Sequence, residues 1–274
     1  MRLFLFMSFV LLLSACSPTA FVNSFISTDL ERSKDISYGP LERHRLDVYE
    51  AKQTPQGVVV FVHGGTWDSG DKSDYPFVAD SLALRGYTTV IVNYRLVPEI
   101  TFPSYAEDVA LALDWVFAHT ELLGSQSIFL MGHSAGAHIA ALVAFDETYL
   151  ASYGAPSLAG FIGLAGPYDF LPPEPDAVRT RAALGPEANW QKTQPIHFVD
   201  GGEAPALVMT GLADTTVNPG NSERMVTKIL EQGGQAELIT YEDVDHIGIV
   251  GALSRVARFL GPDVLPDILT FLEP

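Results

Sequence analysis

The stretch SIFLMGHSAGAHIAALVAF, residues 127–145, decides the fold. Its first part is an apolar run typical of a buried strand, and its last part is a run of small apolar residues typical of a packed helix. Ser134 lies between them, with Gly132 and Gly136 two residues to either side, where side chains would clash in a sharp turn. The pattern predicts a strained strand–turn–helix that exposes the serine hydroxyl beside the free N–H groups of the new helix.

The alternation of strand and helix continues along the chain from about residue 36. Residues 57–65 (GVVVFVHGG) and 87–96 (YTTVIVNYRL) predict strands covered on both faces, and 104–119 (SYAEDVALALDWVFAH) predicts a long helix. Strands separated by helices predict an α/β fold, with a mostly parallel central sheet and helices on both faces. The Pro-rich segment 167–205 breaks the alternation, and we interpret it as a cap insertion that covers a pocket.

Composition limits the classes of protein to which the chain can belong. Its 274 residues are 47% hydrophobic and 18% charged, which is enough for one large and well-buried domain. The formal net charge of −17 argues against a nucleic-acid partner, because nucleic acids are bound by clustered Lys and Arg. It also disfavours electrostatic adsorption to anionic lipid. The sequence has no metal-ligand spacing and no phosphate-binding loop, so we predict neither a metal nor a cofactor.

The N-terminus has the pattern of a bacterial lipoprotein signal. One basic residue, Arg2, precedes an apolar run from Leu3 to Leu13, which is too short to span a bilayer but fits the core of a signal peptide. The run ends in Leu-Ser-Ala-Cys, which resembles a lipobox, and Cys16 is the only cysteine of the chain. We therefore predict a lipoprotein signal peptide over 1–15 and lipidation of Cys16. An ordinary cleaved signal with an incidental cysteine is the alternative.

This interpretation sets the expected organisation and location of the protein. Residues 16–35 would form a tether, and residues 36–274 would form the domain. The lipid would anchor the protein to a membrane of the bacterial cell envelope, on the periplasmic side. By the same resemblance, Ser17 after Cys16 favours the outer membrane over the inner membrane.

Ser134 needs a base to become a nucleophile, and His246 is the best candidate among the seven histidines. It lies in DVDHIGIV, after the last predicted strand, where a side chain can reach over the sheet edge at which open α/β sheets bind ligands. Asp214, in MTGLADTTV, follows the preceding strand and would orient the imidazole. Asp243 and Asp245 are nearer to His246 in the sequence and stay open as alternatives.

The remaining histidines are assigned other roles. The side chain of His133 points away from that of its neighbour Ser134, and His133 is with Trp67 a candidate for lining the substrate pocket. His138 follows the serine by one helical turn, and we expect its ring in the helix packing. His63 is expected to stabilise the loop that it begins. The other candidates are expected to be surface, loop or capping residues: His44, His119, His197 and Asp169.

The segment HGGTW, residues 63–67, follows the first long buried strand. Two consecutive glycines there allow backbone N–H groups to turn toward the nucleophile. The amides of Gly64, Gly65 and Ala135 would then form an oxyanion hole. A flexible Gly-Gly turn without chemistry is the alternative. Trp67 would line the pocket or support the loop.

Taken together, these motifs resemble those of α/β-hydrolase-fold serine esterases. The resemblance is to the hormone-sensitive-lipase-like, carboxylesterase and kynurenine-formamidase-like group, and it covers about residues 36 to 272. It implies the α/β-hydrolase fold, in which nucleophile, acid and histidine follow one another in this chain order. It also implies Ser134, Asp214 and His246 as the catalytic triad. Thr66 stands where lipase-type members often have a third glycine.

The expected function is hydrolysis of a carboxylic ester of a small molecule through an acyl-enzyme. An arylformamidase-type amide hydrolase would use the same groups and stays open. A different class is a non-catalytic lipoprotein that keeps the hydrolase fold as a binding module. The complete set of Ser, His, Asp and Gly-Gly argues against that class, because a decayed site usually loses at least one member.

Overall fold

The computed structural model of the chain describes residues 18–27, 29–154, 156–256 and 261–273. The predicted signal peptide (1–15) and the predicted lipidation site Cys16 lie outside these residues. Within the described ranges, no helix is both long and apolar enough to cross a bilayer.

Eight strands form one central sheet. They are β1 (Arg32–Ser37), β2 (Arg45–Tyr49), β3 (Gly57–Val62), β4 (Tyr87–Val92), β5 (Ile128–His133), β6 (Gly160–Leu164), β7 (Ala206–Gly211) and β8 (Ala236–Tyr241). Their order across the sheet is β1-β2-β4-β3-β5-β6-β7-β8. β2 is antiparallel to both of its neighbours, and all pairs from β4 to β8 are parallel. The predicted mostly parallel sheet is confirmed.

Helices cover both faces of this sheet. In chain order they are α1 (Pro18–Asn23), α2 (Pro76–Ala83), α3 (Ser104–Ala118), α4 (Thr120–Leu123), α5 (Ala135–Phe145), α6 (Thr148–Ala151), α7 (Val178–Leu184), α8 (Gly220–Glu231), α9 (His246–Gly251) and α10 (Val264–Leu272). Residues of α3, α5 and α8 share one hydrophobic cluster, and residues of α2, α9 and α10 share the other. The prediction of helices on both faces is therefore confirmed as well.

The central strands are buried because both of their faces meet a helix layer. In β3, Val58, Val60 and Val62 belong to the first cluster, whereas Val59 and Phe61 belong to the second. Every residue of β3 is buried, which accounts for its continuous apolar sequence. β8, at the edge, has no fully buried residue. Parallel strands end at the same side of a sheet, so the loops after β3, β5, β7 and β8 lie together.

The N-terminal region differs from the predicted tether over 16–35. β1 begins at Arg32, inside the predicted tether, and α1 contacts the domain. The Asn23 side chain accepts a hydrogen bond from the Phe77 amide at 3.2 Å, and the Ser27 amide donates to Asp80 at 2.6 Å. The first turn of α2 has amides without intrahelical partners, and Asn23 satisfies one of them. The described residues from 18 onward are therefore packed on the domain.

The Pro-rich segment 167–205 lies between β6 and β7. It contains α7 and two 3₁₀ segments, Glu187–Thr193 and Pro195–Phe198. The Ala183 carbonyl accepts hydrogen bonds from the Phe102 amide and the Thr101 hydroxyl, both at 2.9 Å. These contacts hold the segment over the sheet edge at which the predicted site residues lie.

Candidate active site

Ser134 occupies the turn between β5 and α5 with φ 56° and ψ −125°. A positive φ costs a non-glycine residue free energy and persists only where its surroundings impose it. The Ser134 amide donates to the Leu164 carbonyl at 2.9 Å, and the Ser134 carbonyl accepts from the His138 amide at 3.1 Å. One end of the residue is thus held by β6 and the other by the first turn of α5.

The two flanking glycines allow α5 to lie directly against the sheet. A Cβ on Gly136 would overlap the carbonyl oxygens of Val62 and His63 at the end of β3. A Cβ on Gly132 would overlap the backbone of Gly136. The G-x-S-x-G pattern is therefore required by backbone contacts on both sides of the turn.

His246 lies between Ser134 and Asp214. Its Nδ1 is 2.7 Å from Asp214 Oδ2, and its Nε2 is 2.8 Å from Ser134 Oγ. The other carboxylate oxygen of Asp214 accepts from the amides of Thr216 at 2.8 Å and Val217 at 2.9 Å. Asp214 accepts at Oδ2, so the arrangement fits an imidazole with its proton on Nδ1 and a free lone pair on Nε2 toward the hydroxyl.

The nearer carboxylate Asp245 has a different partner. Its side chain accepts from the Gly248 amide at 2.6 Å and caps the N-terminus of α9. The structure therefore brings Asp214, and not Asp245, to the imidazole of His246. Both His246 and Asp214 are buried.

The HGGTW loop (residues 63–67) has three consecutive residues with positive φ: Gly65 at 126°, Thr66 at 51° and Trp67 at 60°. A Cβ on Gly64 would lie 3.1 Å from the Cβ of Ser134, so this backbone passes directly beside the turn. The Gly65 carbonyl accepts from the amides of Asp68 and Ser69 and points away from Ser134 into its own turn. In the described part of the chain, the amides of Gly65 and Ala135 have no backbone acceptor, whereas the Gly64 amide interacts with the Tyr75 hydroxyl.

Two buried histidines support the loops of the site. His63 Nδ1–H donates to the Gly64 carbonyl at 2.8 Å, and the ring stacks on Tyr94. His133 Nε2–H donates to the His246 carbonyl at 2.9 Å. Burial lowers the pKa of His63 to about 4 and that of His133 to about 3, so both rings are neutral near pH 7.

Two expectations about histidines are corrected. His133 was assigned to the substrate pocket, but its ring is buried behind His246 because it bonds to the backbone there. His44 was expected at the surface, but it is buried, with Nε2 3.0 Å from Asp108 on α3. Asp108 also binds Arg95, so a polar cluster that the sequence pattern does not indicate fills this position.

A cavity of about 410 Å³ opens at Ser134. Trp67 lines it, in agreement with its assignment to the pocket, and residues of the 167–205 segment form the opposite wall, including Phe170, Pro172 and Pro173. A larger cavity, about 780 Å³, lies elsewhere, beside α6, and no predicted site residue lines it. In the described residues, no group of three or more His, Cys, Asp or Glu side chains is arranged to hold a metal ion.

The wall of this cavity also has three charged residues that were not assigned to the site from the sequence: Asp169, Glu174 and Arg224. Arg224 Nε donates to Asp169 Oδ2 at 2.5 Å, and Nη2 donates to the Asp169 carbonyl at 2.6 Å. Asp169 was expected to be a loop or capping residue. Asp169 follows β6 at the carboxyl edge of the sheet, where open α/β sheets bind ligands, so its place in the sequence could have indicated a site residue. Arg224 lies within α8 and had no such signal.

The fold and the arrangement of these groups define the class of the protein, which is that of α/β-hydrolase-fold esterases. The chain belongs to the BD-FAE family, whose model matches residues 46–229. The resemblance stated from the sequence is thereby confirmed.

Curated relatives and solved structures agree with this assignment. The chain is 28% identical over 231 residues to the kynurenine formamidase of Drosophila melanogaster, covering 80% of this chain and 77% of that one. It is 32% identical over 158 residues to a probable isoprenylcysteine alpha-carbonyl methylesterase of Arabidopsis thaliana, covering 54% of this chain and 33% of that protein's length. A truncated carbohydrate esterase from gut microbiota superposes with a TM-score of 0.76 at 20% identity, covering 90% and 95% of the two chains. Esterase B from Lactobacillus rhamnosis has a TM-score of 0.76 at 17% identity, covering 97% and 91%. At 20% and 17% identity, the two solved structures show that the fold is shared.

Proposed function

We propose that the protein cleaves carboxylic esters with Ser134 as nucleophile, His246 as general base and acid, and Asp214 as the group that orients His246. The observation that carries the proposal is the unbroken series of hydrogen-bonding contacts. Asp214 Oδ2 is 2.7 Å from His246 Nδ1, and His246 Nε2 is 2.8 Å from Ser134 Oγ. The contact with Asp214 suits an orienting hydrogen bond, and the contact with Ser134 suits proton transfer from the hydroxyl to the imidazole.

The reaction then follows from the positions of these groups. His246 Nε2 takes the hydroxyl proton as Ser134 Oγ bonds to the ester carbonyl carbon, and the carbonyl oxygen becomes an oxyanion. The amides of Gly64, Gly65 and Ala135 stabilise that charge. The carbon–oxygen bond to the alcohol breaks, and the alcohol leaves with the proton from His246. Water, deprotonated by the same imidazole, then attacks the acyl-enzyme and releases the acid and Ser134.

Hydrolysis of an aryl formamide is the second candidate. It is favoured by the similarity to a kynurenine formamidase over 80% of this chain. Both reactions use the same nucleophile and oxyanion donors, so the size of the acyl group is what separates them. A formyl group is the smallest acyl group, whereas the cavity of about 410 Å³ at Ser134 has room for a larger one. This volume favours the ester.

The test combines a covalent probe with a substrate series. A fluorophosphonate probe is expected to label the wild-type protein and not the Ser134→Ala variant, whereas Ser152→Ala, an exposed serine, serves as the labelled control. Removing Ser134 should lower kcat by about 10⁶-fold. Labelling of the Ser134→Ala variant would contradict the proposal. p-Nitrophenyl esters of increasing chain length, assayed beside an arylformamide, decide between the two reactions.

We also propose that the protein is lipid-anchored through Cys16, as the Leu-Ser-Ala-Cys segment indicates. The expected result is incorporation of an alkyne-labelled fatty acid by bacteria that express the full chain, and its loss in Cys16→Ala. Equal labelling of both proteins, or none of either, would contradict the anchor. Separation of inner and outer membranes tests whether the protein is in the outer membrane, as Ser17 after Cys16 predicts.

A further inference from the structure

We infer that His138 is a positioning residue for the HGGTW loop: it holds the Trp67 ring and thereby sets where the loop amides lie relative to Ser134. The inference rests on the proposed function, because it concerns the oxyanion donors of that reaction. His138 itself does not line the cavity at Ser134.

Both ring nitrogens of His138 are in use. The indole Nε1–H of Trp67 donates to His138 Nδ1 at 3.1 Å, and His138 Nε2–H donates to the Thr193 carbonyl at 2.7 Å. An indole N–H can only donate and a carbonyl can only accept, so the two partners fix the tautomer. The ring is fully buried, and burial lowers its pKa to about 4, which keeps Nδ1 free to accept near neutral pH.

Trp67 needs such support because its backbone is strained. Thr66 and Trp67 both have left-handed φ values, a conformation that is unfavourable for a bulky or β-branched residue. The backbone is held at one point by the Val97 amide, which donates to the Trp67 carbonyl at 3.0 Å. The side chain is held by His138, which meets the indole edge-on with ring centroids 5.2 Å apart. Without this partner, the buried indole N–H would be unsatisfied and the loop could relax.

The other partner of His138, Thr193, is a buried residue of the 167–205 segment. Thr193 ends the 3₁₀ segment Glu187–Thr193, and its hydroxyl accepts from the Gln194 side chain at 2.8 Å. Gln194 in turn accepts from the Phe170 amide at 2.8 Å, and Phe170 stacks on Trp67 with centroids 6.1 Å apart. One buried imidazole therefore connects the HGGTW loop to the 167–205 segment.

The experiment compares three substitutions in folded protein, as verified by circular dichroism at the assay temperature. His138→Phe keeps a ring and removes both hydrogen bonds, and His138→Gln keeps one acceptor and one donor. His119→Phe is the matched control, because His119 also contacts a tryptophan ring, that of Trp115 on the helix α3 outside the site. p-Nitrophenyl acetate is the substrate, since a small ester depends least on the cavity wall.

For His138→Phe, kcat is expected to fall about 10- to 100-fold with KM changed less than about threefold, because displaced oxyanion donors weaken only the transition state. His138→Gln should recover most of the loss, and His119→Phe should match the wild type. Adding Trp67→Phe to His138→Phe should cost little more, since both act on one contact. A folded His138→Phe variant with wild-type kcat, or a Gln variant as slow as the Phe variant, would overturn the inference. Activity retained in Ser134→Ala would instead overturn the proposed function.

Discussion

The loops at the carboxyl edge of the sheet and the 167–205 segment face each other across one cavity, but they are held in different ways. Ser134, Asp214 and His246 follow strands or turns whose backbone is fixed by the buried sheet, and each has a hydrogen-bonding partner within the site. The 167–205 segment consists of short helical pieces and loops, which are held by individual contacts such as those of Ala183, Thr193 and Arg179 and not by a strand ladder. For the proposed function, this difference predicts that substitutions at the sheet edge alter the rate of the reaction, whereas substitutions in the 167–205 segment alter substrate preference.

The largest effect is expected from substitution of Asp214, the proposed orienting carboxylate at the sheet edge. Asp214→Asn is expected to lower kcat by about 10⁴-fold, because the amide no longer stabilises the correct tautomer and the charge of His246. Asp245→Asn is the matched control and should affect the α9 cap by about 1 kcal/mol or less, with kcat nearly unchanged. Steady-state kinetics and urea unfolding measure both. The reverse ranking of the two variants would assign the acid to Asp245.

The buried histidines near the sheet edge are expected to make the free energy of unfolding depend on pH under acidic conditions. Folding lowers the pKa of His63 and His138 to about 4 and that of His133 to about 3, from an ordinary value near 6.5. The unfolded chain therefore binds more protons below pH 6.5. The stabilising effect of these neutral rings is complete above that pH and is lost as pH falls toward 4. Each histidine contributes up to about 1.4 kcal/mol per pH unit in this range.

Substitution isolates one of these contributions from the titrating carboxylates. Between pH 6.5 and 4.5, the free energy of unfolding of His138→Gln should fall less steeply than that of the wild type, by about 1.4 kcal/mol per pH unit. His197→Gln, which removes the exposed histidine of the 167–205 segment, should leave the slope unchanged. Urea unfolding at several pH values measures the slopes. Parallel slopes for wild type and His138→Gln would show that this ring titrates normally.

The sheet edge is also expected to tolerate an added methyl group less well than the 167–205 segment does. Gly136→Ala should destabilise the protein by about 1–3 kcal/mol, because the added methyl group meets the carbonyls at the end of β3. Gly202→Ala, in the 167–205 segment, should change stability by less than about 0.5 kcal/mol, since only the Asp200 side chain lies near. Thermal or urea unfolding gives both values. Equal losses would mean that the segment is packed as tightly as the sheet.

The smallest effect is expected at the cavity wall. Arg224→Gln removes the partner of Asp169 and leaves an unpaired carboxylate at the rim of the pocket. KM for long or bulky esters should change by a few-fold, equivalent to about 1 kcal/mol, whereas p-nitrophenyl acetate should react as with the wild type. A large fall in kcat for the acetate would place Arg224 in the reaction itself.

The sequence predicted the rigid edge far better than the wall, for physical reasons. The strands of the core are continuous apolar runs, and the glycines around Ser134 are required by contacts within a few residues, so local patterns were sufficient. The Asp169–Arg224 pair joins residues 55 apart, and the buried His44–Asp108 pair joins residues 64 apart. Nothing in the sequence around any of these four residues indicates its partner. His133 and His138 flank the same serine, yet only tertiary contacts reveal that they hold two different loops.

The order of the proposed catalytic residues along the chain has a consequence for how the site is completed during folding. Ser134 precedes His246 by 112 residues, and β7 and β8 are added to the sheet only after the serine turn. A partly folded chain can therefore hold the Ser134 hydroxyl in its turn before His246, the proposed base, reaches it. For the proposed function, a chain in which residue 246 has not yet folded onto the sheet edge would have the nucleophile without its base, and it would be inactive.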